Sequence, residues 1–128
     1  MRIYDRAGFP NPIRIRVVVA AKHLESQIEW VPVDLIGAEH KQPPFLAKNP
    51  SGVVPVLELD DGTFITESTA ITEYLDNLDG NPILTGRTAL EKALVHMMAA
   101  ARRSLCDRSR RHLFSLRHSW LGHQIARV

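Results

Sequence analysis

The sequence predicts an α/β domain with the element order βαβ, a short helix and then ββα, followed by one or two C-terminal helices. Three observations lead to this prediction. Apolar and polar residues alternate from Ile28 to Leu35, which is typical of a half-buried strand. Two short apolar runs flank the turn sequence Asp60-Asp61-Gly62, as in a β-hairpin. Elsewhere apolar residues recur at helical spacing.

The first half of the domain supplies a strand, a helix and a second strand. Ile3-Tyr4 is a short strand candidate, and Asn11-Pro12 predicts a helix start with Asn11 as N-cap. The predicted helix face consists of Ile15, Val18 and Val19. Pro32 lies inside the second strand, and we expect an edge strand because proline lacks the N–H that a central strand donates.

The second half of the domain supplies a short helix at residues 45–48 and a hairpin of strands at residues 55–59 and 63–66. Thr66 is suited to cap the next helix. The apolar face of that helix would consist of Ile71, Tyr74, Leu75 and Leu78. Thr88 and Glu91 form a capping box that opens a later helix. We therefore expect a domain at 1–79, a turn-rich linker at 80–87 and a C-terminal segment at 88–128.

Length and composition indicate a globular protein with one core. The chain has 128 residues, of which 45% are hydrophobic and 23% are charged. Charges stand at the N-terminus where a signal peptide needs an apolar stretch, and the run from Val17 to Ala21 is too short to span a bilayer. The single cysteine, Cys106, excludes a disulfide framework and a CxxC pair. These features predict a cytoplasmic location.

Charge is distributed unevenly along the chain. Residues 1–92 carry nine Lys/Arg and thirteen Asp/Glu, a net charge of −4, whereas residues 93–128 carry seven Arg and one Asp, a net charge of +6. Three interpretations of residues 112–128 are open. They predict a basic amphipathic helix that binds a membrane surface, a calmodulin-like groove or nucleic acid, a short helix that packs on the domain, or a disordered end. We expect no clear nucleic-acid partner and no membrane partner. We also expect no metal, because His112, His118 and His123 lack helical metal-ligand spacing.

Three dipeptides indicate a site for a small zwitterionic peptide. Val54-Pro55 is either a cis bond that turns the backbone toward an extended ligand or an ordinary trans proline at a strand start. Glu67-Ser68, at a helix start, either binds the ammonium and carboxylate of an amino-acid end or only stabilises the helix. His40-Lys41, in the loop after the second strand, either binds another carboxylate or is solvated.

Together these residues resemble the glutathione-binding, thioredoxin-like domain of the soluble glutathione transferases. The surrounding sequence is most similar to the atypical theta-like branch of fungi and bacteria, and the resemblance extends to residue 98. The matching pieces are Val33-Asp34-Leu35, Glu39-His40-Lys41, Pro44-Phe45-Leu46, Asn49 to Leu57, Glu67 to Ile71, and Tyr74-Leu75.

The resemblance implies a thioredoxin-like fold with glutathione as co-substrate, no metal, and the capacity to form a homodimer. In the family, the residue equivalent to Val54 pairs with the cysteinyl part of glutathione, and Glu67-Ser68 holds the γ-glutamyl end. The glutathione-binding residues implied here are His40, Lys41, Val53, Val54, Pro55, Glu67 and Ser68. Such an enzyme lowers the pKa of the glutathione thiol, and the thiolate attacks a small electrophile in detoxification.

The sequence departs from the family pattern in two places. Residues 7–12 lack the Ser, Cys or Tyr that most members place near the glutathione sulfur, and Tyr4 is expected in the core, so no catalytic residue is assigned. The resemblance implies that residues 88–128 are a remnant of the family's helical domain with a divergent basic tail. The family pattern ends after Met98, which predicts a truncated chain produced by an altered reading frame, an alternative exon or a wrong gene end. Alternatives to a transferase are a non-catalytic glutathione-binding or interaction module and an inactive truncated product.

Overall fold

The computed structural model describes residues 1–101, and its elements confirm the predicted α/β class. The elements are β1 (Arg2–Asp5), α1 (Pro10–Ala21), a 3-10 helix (Glu25–Gln27), β2 (Glu29–Pro32), a 3-10 helix (Glu39–Lys41), α2 (Pro43–Leu46), β3 (Val56–Glu58), β4 (Phe64–Thr66) and α3 (Ser68–Asn77). A further helix, α4, begins at residue 89 and continues to residue 101. The predictions for Cys106, for the three histidines and for the basic helix at 112–128 lie outside the described residues.

The four strands form one sheet in the order β2-β1-β3-β4. β1 is parallel to β2 and antiparallel to β3, and β3 and β4 form the predicted antiparallel hairpin. In the hairpin turn, the Thr63 N–H donates to Asp61 Oδ1 over 2.8 Å. β2 lies at the edge of the sheet, which confirms the expectation from Pro32.

The core lies on both faces of the sheet. Ile3 of β1 and Leu57 of β3 are paired neighbours whose side chains join the larger cluster, which α1 and α3 cover. That cluster consists of Ile3, Ile15, Val18, Val19, Leu24, Ile28, Leu57, Ile71 and Leu75. A smaller cluster beside α2 consists of Val33, Phe45, Val54 and Val56. Val54, a predicted binding residue, is thus held in place by its own buried side chain.

The start of α1 differs from the sequence prediction. The helix begins at Pro10, and Phe9 is its N-cap, so the assignment of Asn11 as the cap was wrong. Proline is well placed in a first turn because its missing N–H needs no partner there. The Ile13 N–H donates to the Phe9 carbonyl over 3.0 Å, which brings Asn11 into the first helical turn.

The start of α3 also differs, because Thr66 does not cap the helix. Thr66 is the last residue of β4 and pairs with Val56, and Glu67 takes the N-cap position. Sheet pairing therefore overrides the local capping preference of threonine. At the other end, Leu78 follows the helix and is 41% exposed, so it does not belong to the buried face that the sequence predicted.

The segment after α3 is tied back to the domain by Asp76. The chain divides into two units at Arg87 and Thr88, and the predicted linker at 80–87 belongs to the first unit. Asp76 accepts hydrogen bonds from the backbone of residues 83–85.

The capping box is confirmed, since the Thr88 N–H donates to Glu91 Oε2 over 3.0 Å and the Glu91 N–H donates to Thr88 Oγ1 over 3.2 Å. Within residues 1–101 no helix has the length and apolarity to cross a bilayer.

Candidate functional site

The sheet register brings the predicted dipeptides to one end of the sheet. Val56 of β3 pairs with Tyr4 of β1 on one side and with Thr66 of β4 on the other. The chain enters β3 and leaves both β1 and β4 at this end. Val54-Pro55, Glu67-Ser68 and the turn before α1 therefore converge, although they are distant in sequence.

Val54-Pro55 provides an unpaired stretch of backbone at this end. The peptide bond between the two residues is cis. Val54 is 8% exposed, whereas Val53 before it is half-exposed. Within residues 1–101, neither the N–H nor the C=O of Val54 makes a hydrogen bond. A buried residue with a free donor and a free acceptor can add an extended peptide by strand pairing.

Asn49 shapes the loop that leads to Val54. Its side chain is 1% exposed, and Nδ2 donates to the Val53 carbonyl over 2.8 Å. The Asn49 Oδ1 atom accepts the Ser51 N–H over 3.1 Å, and the Asn49 carbonyl accepts the Gly52 N–H over 2.9 Å. Asn49 is not among the binding residues predicted from the sequence. The turn-forming sequence Asn-Pro-Ser-Gly was the signal, because asparagine side chains bond backbone groups two residues on.

His40 and Lys41 lie against the same loop. The Lys41 ammonium donates to the Gly52 carbonyl over 2.8 Å and to the Ser51 carbonyl over 3.5 Å, so it is more than a solvated charge. Gly52 has φ +57°, and a Cβ there would come within 2.8 Å of the His40 carbonyl oxygen. Nδ1 of His40 is buried and has no hydrogen-bond partner in the part of the chain that the structure describes.

Glu67 and Ser68 form the start of α3. Glu67 is exposed and has φ +69°, a left-handed conformation that costs a non-glycine residue on the order of 1–3 kcal/mol. Ser68 is 8% exposed, and its hydroxyl has no hydrogen-bond partner among residues 1–101. No side chain caps the helix. The helix start therefore presents a carboxylate and a hydroxyl beside the positive end of the helix dipole.

The turn before α1 carries no hydroxyl, thiol or ionisable side chain from Ala7 to Pro10. Tyr4 is already engaged, since its hydroxyl donates to Glu58 Oε2 over 2.6 Å and its ring packs edge-on against Phe45. This hydrogen bond is the main reason that the pKa of Glu58 lies below its ordinary value. Tyr4 therefore packs in the domain as expected, and no side chain within residues 1–101 is assigned to activate a thiol.

The acidic and imidazole groups do not form a metal site in the described part of the chain. Across residues 1–101, no three His, Cys, Asp or Glu side chains are grouped so that they could hold a metal ion. The site is therefore described by backbone groups, one carboxylate, one hydroxyl and one ammonium. These groups are suited to the charged ends and the backbone of a small peptide.

Comparison with known proteins identifies the family. Residues 10–78 match the family described as "Glutathione S-transferase, N-terminal domain". The chain belongs to this family, and the resemblance inferred from the sequence is confirmed.

The relatives show which part of the family the chain matches. It is 58% identical over 98 residues to "Glutathione S-transferase 2" of Saccharomyces cerevisiae, which covers 77% of this chain and 42% of that protein. The crystal structure of Gtt2 from S. cerevisiae superposes with a TM-score of 0.75 at 58% identity, covering 77% of this chain and 47% of the other. A glutathione transferase homologue from Sulfitobacter with bound glutathione has a TM-score of 0.67 at 28% identity, with 82% and 48% covered.

These matches confirm the thioredoxin-like fold of the described domain. The chain spans less than half the length of these relatives. The matches do not test the individual binding residues, which stay predictions.

Proposed function

We propose that this chain is a glutathione-binding, transferase-like domain that presents the glutathione thiolate to a small electrophile in detoxification. The observation that carries the proposal is the convergence of the unpaired Val54 backbone with Glu67 and Ser68 at one end of the sheet. Family membership supports the same ligand, and the transferase homologue from Sulfitobacter has bound glutathione.

The cysteinyl part of glutathione pairs with Val54. A peptide in extended conformation offers one N–H and one C=O on the same edge, and these match the free C=O and N–H of Val54. The partly exposed side chain of Val53 and the ring of Pro55 border this backbone. The pairing fixes the middle of the ligand and directs its sulfur toward the turn before α1.

The γ-glutamyl end binds at the start of α3. Its carboxylate accepts hydrogen bonds from the first helical turn and from the Ser68 hydroxyl, and its ammonium group meets the Glu67 carboxylate. The left-handed backbone of Glu67 supports this role, because strained residues cluster where a ligand must be met at a fixed angle.

The glycine carboxylate binds near His40 and Lys41. An ammonium group has three N–H donors, and two of those on Lys41 are directed to carbonyls of the loop at residues 51–52. The remaining donor serves the ligand carboxylate. His40 lies on the same 3-10 helix and is the second candidate partner.

Thiol activation in this domain is assigned to the start of α1. No side chain caps α1, and the positive end of a helix lowers the pKa of a nearby thiol because it stabilises the thiolate. The partners in this proposal are glutathione and a small electrophile, in a cytoplasmic homodimer. The single cysteine fits this location, because structural disulfides are rare in cytosolic proteins.

A conjugation assay tests the proposal. Purified full-length chain is mixed with glutathione and an aryl halide, and thioether formation is followed by absorbance. We expect Glu67→Ala/Ser68→Ala to lower kcat/KM for glutathione by about tenfold or more, since it removes two ligand contacts. The matched control is Glu25→Ala/Ser26→Ala, the same dipeptide exposed beside the opposite end of the sheet.

The outcomes separate the candidate functions. Conjugation that falls only in the Glu67 and Ser68 variant supports the transferase. Binding of glutathione without conjugation indicates a non-catalytic module. Equal rates for both double variants would contradict the assignment of Glu67 and Ser68.

A further inference from the structure

We propose that Asn49 is a positioning residue that aims the Val54 N–H at the ligand, a role that rests on the proposed function. Asn49 is almost completely buried and cannot itself reach a ligand from solvent. Its own N–H donates to the Phe45 carbonyl over 3.0 Å, which anchors it to α2. A buried asparagine that is anchored in this way acts through what its side chain holds.

The side chain of Asn49 fixes the orientation of one peptide group. Nδ2 donates to the Val53 carbonyl over 2.8 Å, and the peptide bond between Val53 and Val54 is trans. In a planar trans peptide the C=O and the following N–H point in opposite directions. Because the Val53 carbonyl points to buried Asn49, the Val54 N–H points away from the interior, where it has no partner among residues 1–101.

Asparagine is required because the loop needs a donor and an acceptor from one buried side chain. Nδ2 serves the Val53 carbonyl, and Oδ1 serves the Ser51 N–H over 3.1 Å. Aspartate retains the acceptor and loses the donor, and alanine loses both. The Lys41 ammonium holds the Gly52 carbonyl of the same loop, so the peptide at Val53 is the part that depends on Asn49.

Isothermal titration of glutathione into full-length protein tests this role, with Asn49→Ala compared to Asn77→Ala. Asn77 is the control because its side-chain amide also makes two hydrogen bonds, both donated by Nδ2, to the Glu73 carbonyl at 2.8 Å and to Thr85 Oγ1 at 3.1 Å. Asn77 is the last residue of α3, roughly 14 Å along the helix from Ser68. We expect about tenfold weaker binding for Asn49→Ala and a change within about twofold for Asn77→Ala.

An NMR titration measures the chemical shift of the Val54 amide, which a loss of stability alone does not change. In the wild type, the Val54 amide resonance shifts when glutathione saturates the protein, and Asn49→Ala reduces that shift. If Asn49→Ala does not fold, Asn49→Asp is used, and it too should weaken binding because an oxygen replaces the donor. Two results would overturn the positioning role alone. One is wild-type binding that leaves the Val54 amide resonance unshifted, and the other is an Asn49 variant that binds glutathione as tightly as Asn77→Ala. A folded wild type that does not bind glutathione overturns the proposed function and this role together.

Discussion

Replacement of Asp76 by alanine removes the connection between α3 and the segment that follows it. Asp76 is fully buried and accepts four hydrogen bonds. Three come from the N–H groups of Ile83 (3.0 Å), Leu84 (2.9 Å) and Thr85 (2.8 Å), and the fourth comes from the Thr85 hydroxyl (2.7 Å). The Lys22 ammonium lies 3.8 Å from the carboxylate.

The loss of stability in Asp76→Ala depends on which hydrogen-bond donors lose their acceptor. Ile83 and Leu84 are exposed, so water replaces the carboxylate at their N–H groups. Thr85 is buried, and its N–H and O–H donors both lose their acceptor, while Thr85 Oγ1 still accepts the bond from Asn77 Nδ2. Each unsatisfied buried donor costs about 1–3 kcal/mol, so we expect a loss of about 3 kcal/mol. For a domain of this size, that corresponds to a fall in Tm of about 12 °C or more.

Thermal unfolding followed by circular dichroism at neutral pH measures this loss. The control is Asp79→Ala, a carboxylate at the same end of α3 whose side chain is 56% exposed and bonds Lys22 over 2.8 Å. In Asp79→Ala the Lys22 ammonium keeps the Asn81 carbonyl at 2.9 Å and the Asp76 carboxylate at 3.8 Å, and water can take the place of the exposed carboxylate. We therefore expect a loss of about 1 kcal/mol and a fall in Tm of a few degrees. If Asp76→Ala is no more destabilising than Asp79→Ala, the account of the segment's attachment is wrong.

Two further predictions concern acid stability and the loop before Val54. Burial raises the pKa of Asp76, but the hydrogen bonds from residues 83–85 outweigh it and hold that pKa below its ordinary value. The stabilisation by the Asp76 carboxylate is therefore complete above the unfolded pKa of about 3.9, and it is lost as the pH falls through the folded pKa. When Tm is measured from pH 7 to 2, we expect it to fall more steeply in wild type than in Asp76→Asn. Parallel profiles would contradict this. Gly52→Ala should cost about 1–3 kcal/mol in chemical denaturation and weaken glutathione binding, because φ is +57° and the new Cβ lies 2.8 Å from the His40 carbonyl. Gly80→Ala, with φ +71° and no atom within 4 Å of the new Cβ, is the control and should retain full binding.

Local sequence signals predicted the elements that depend on neighbouring residues. The hairpin turn, the capping box of Thr88 and Glu91 and the buried faces of α1 and α3 all depend on spacings within a few residues. The starts of α1 and α3 could not be predicted in this way. Thr66 has the chemistry of a helix cap, but its pairing with Val56 across the hairpin keeps it in the sheet. Asn11 has the same chemistry, but the turn at Phe9 starts the helix earlier.

The candidate site was predictable in its composition and not in its connections. The dipeptides at Val54 and Glu67 stand out in the sequence, and the sheet register brings them to one end. The contacts that set their orientation join separate loops, as in the bond from Lys41 to the Gly52 carbonyl. Such contacts depend on how closely two loops approach, which residue spacing does not specify. Asn49 bonds within its own loop, to Ser51 and Val53, but its almost complete burial is a property of the fold that the turn sequence does not show.

Isothermal titration of glutathione into the purified full-length chain tests the central claim most directly. The titration is repeated with Glu67→Ala/Ser68→Ala and with the exposed control pair at residues 25 and 26. The account predicts saturable binding by the wild type and the control pair, and its loss in the Glu67 and Ser68 variant. A folded wild-type chain that shows no binding, or equal binding by both double variants, would contradict it.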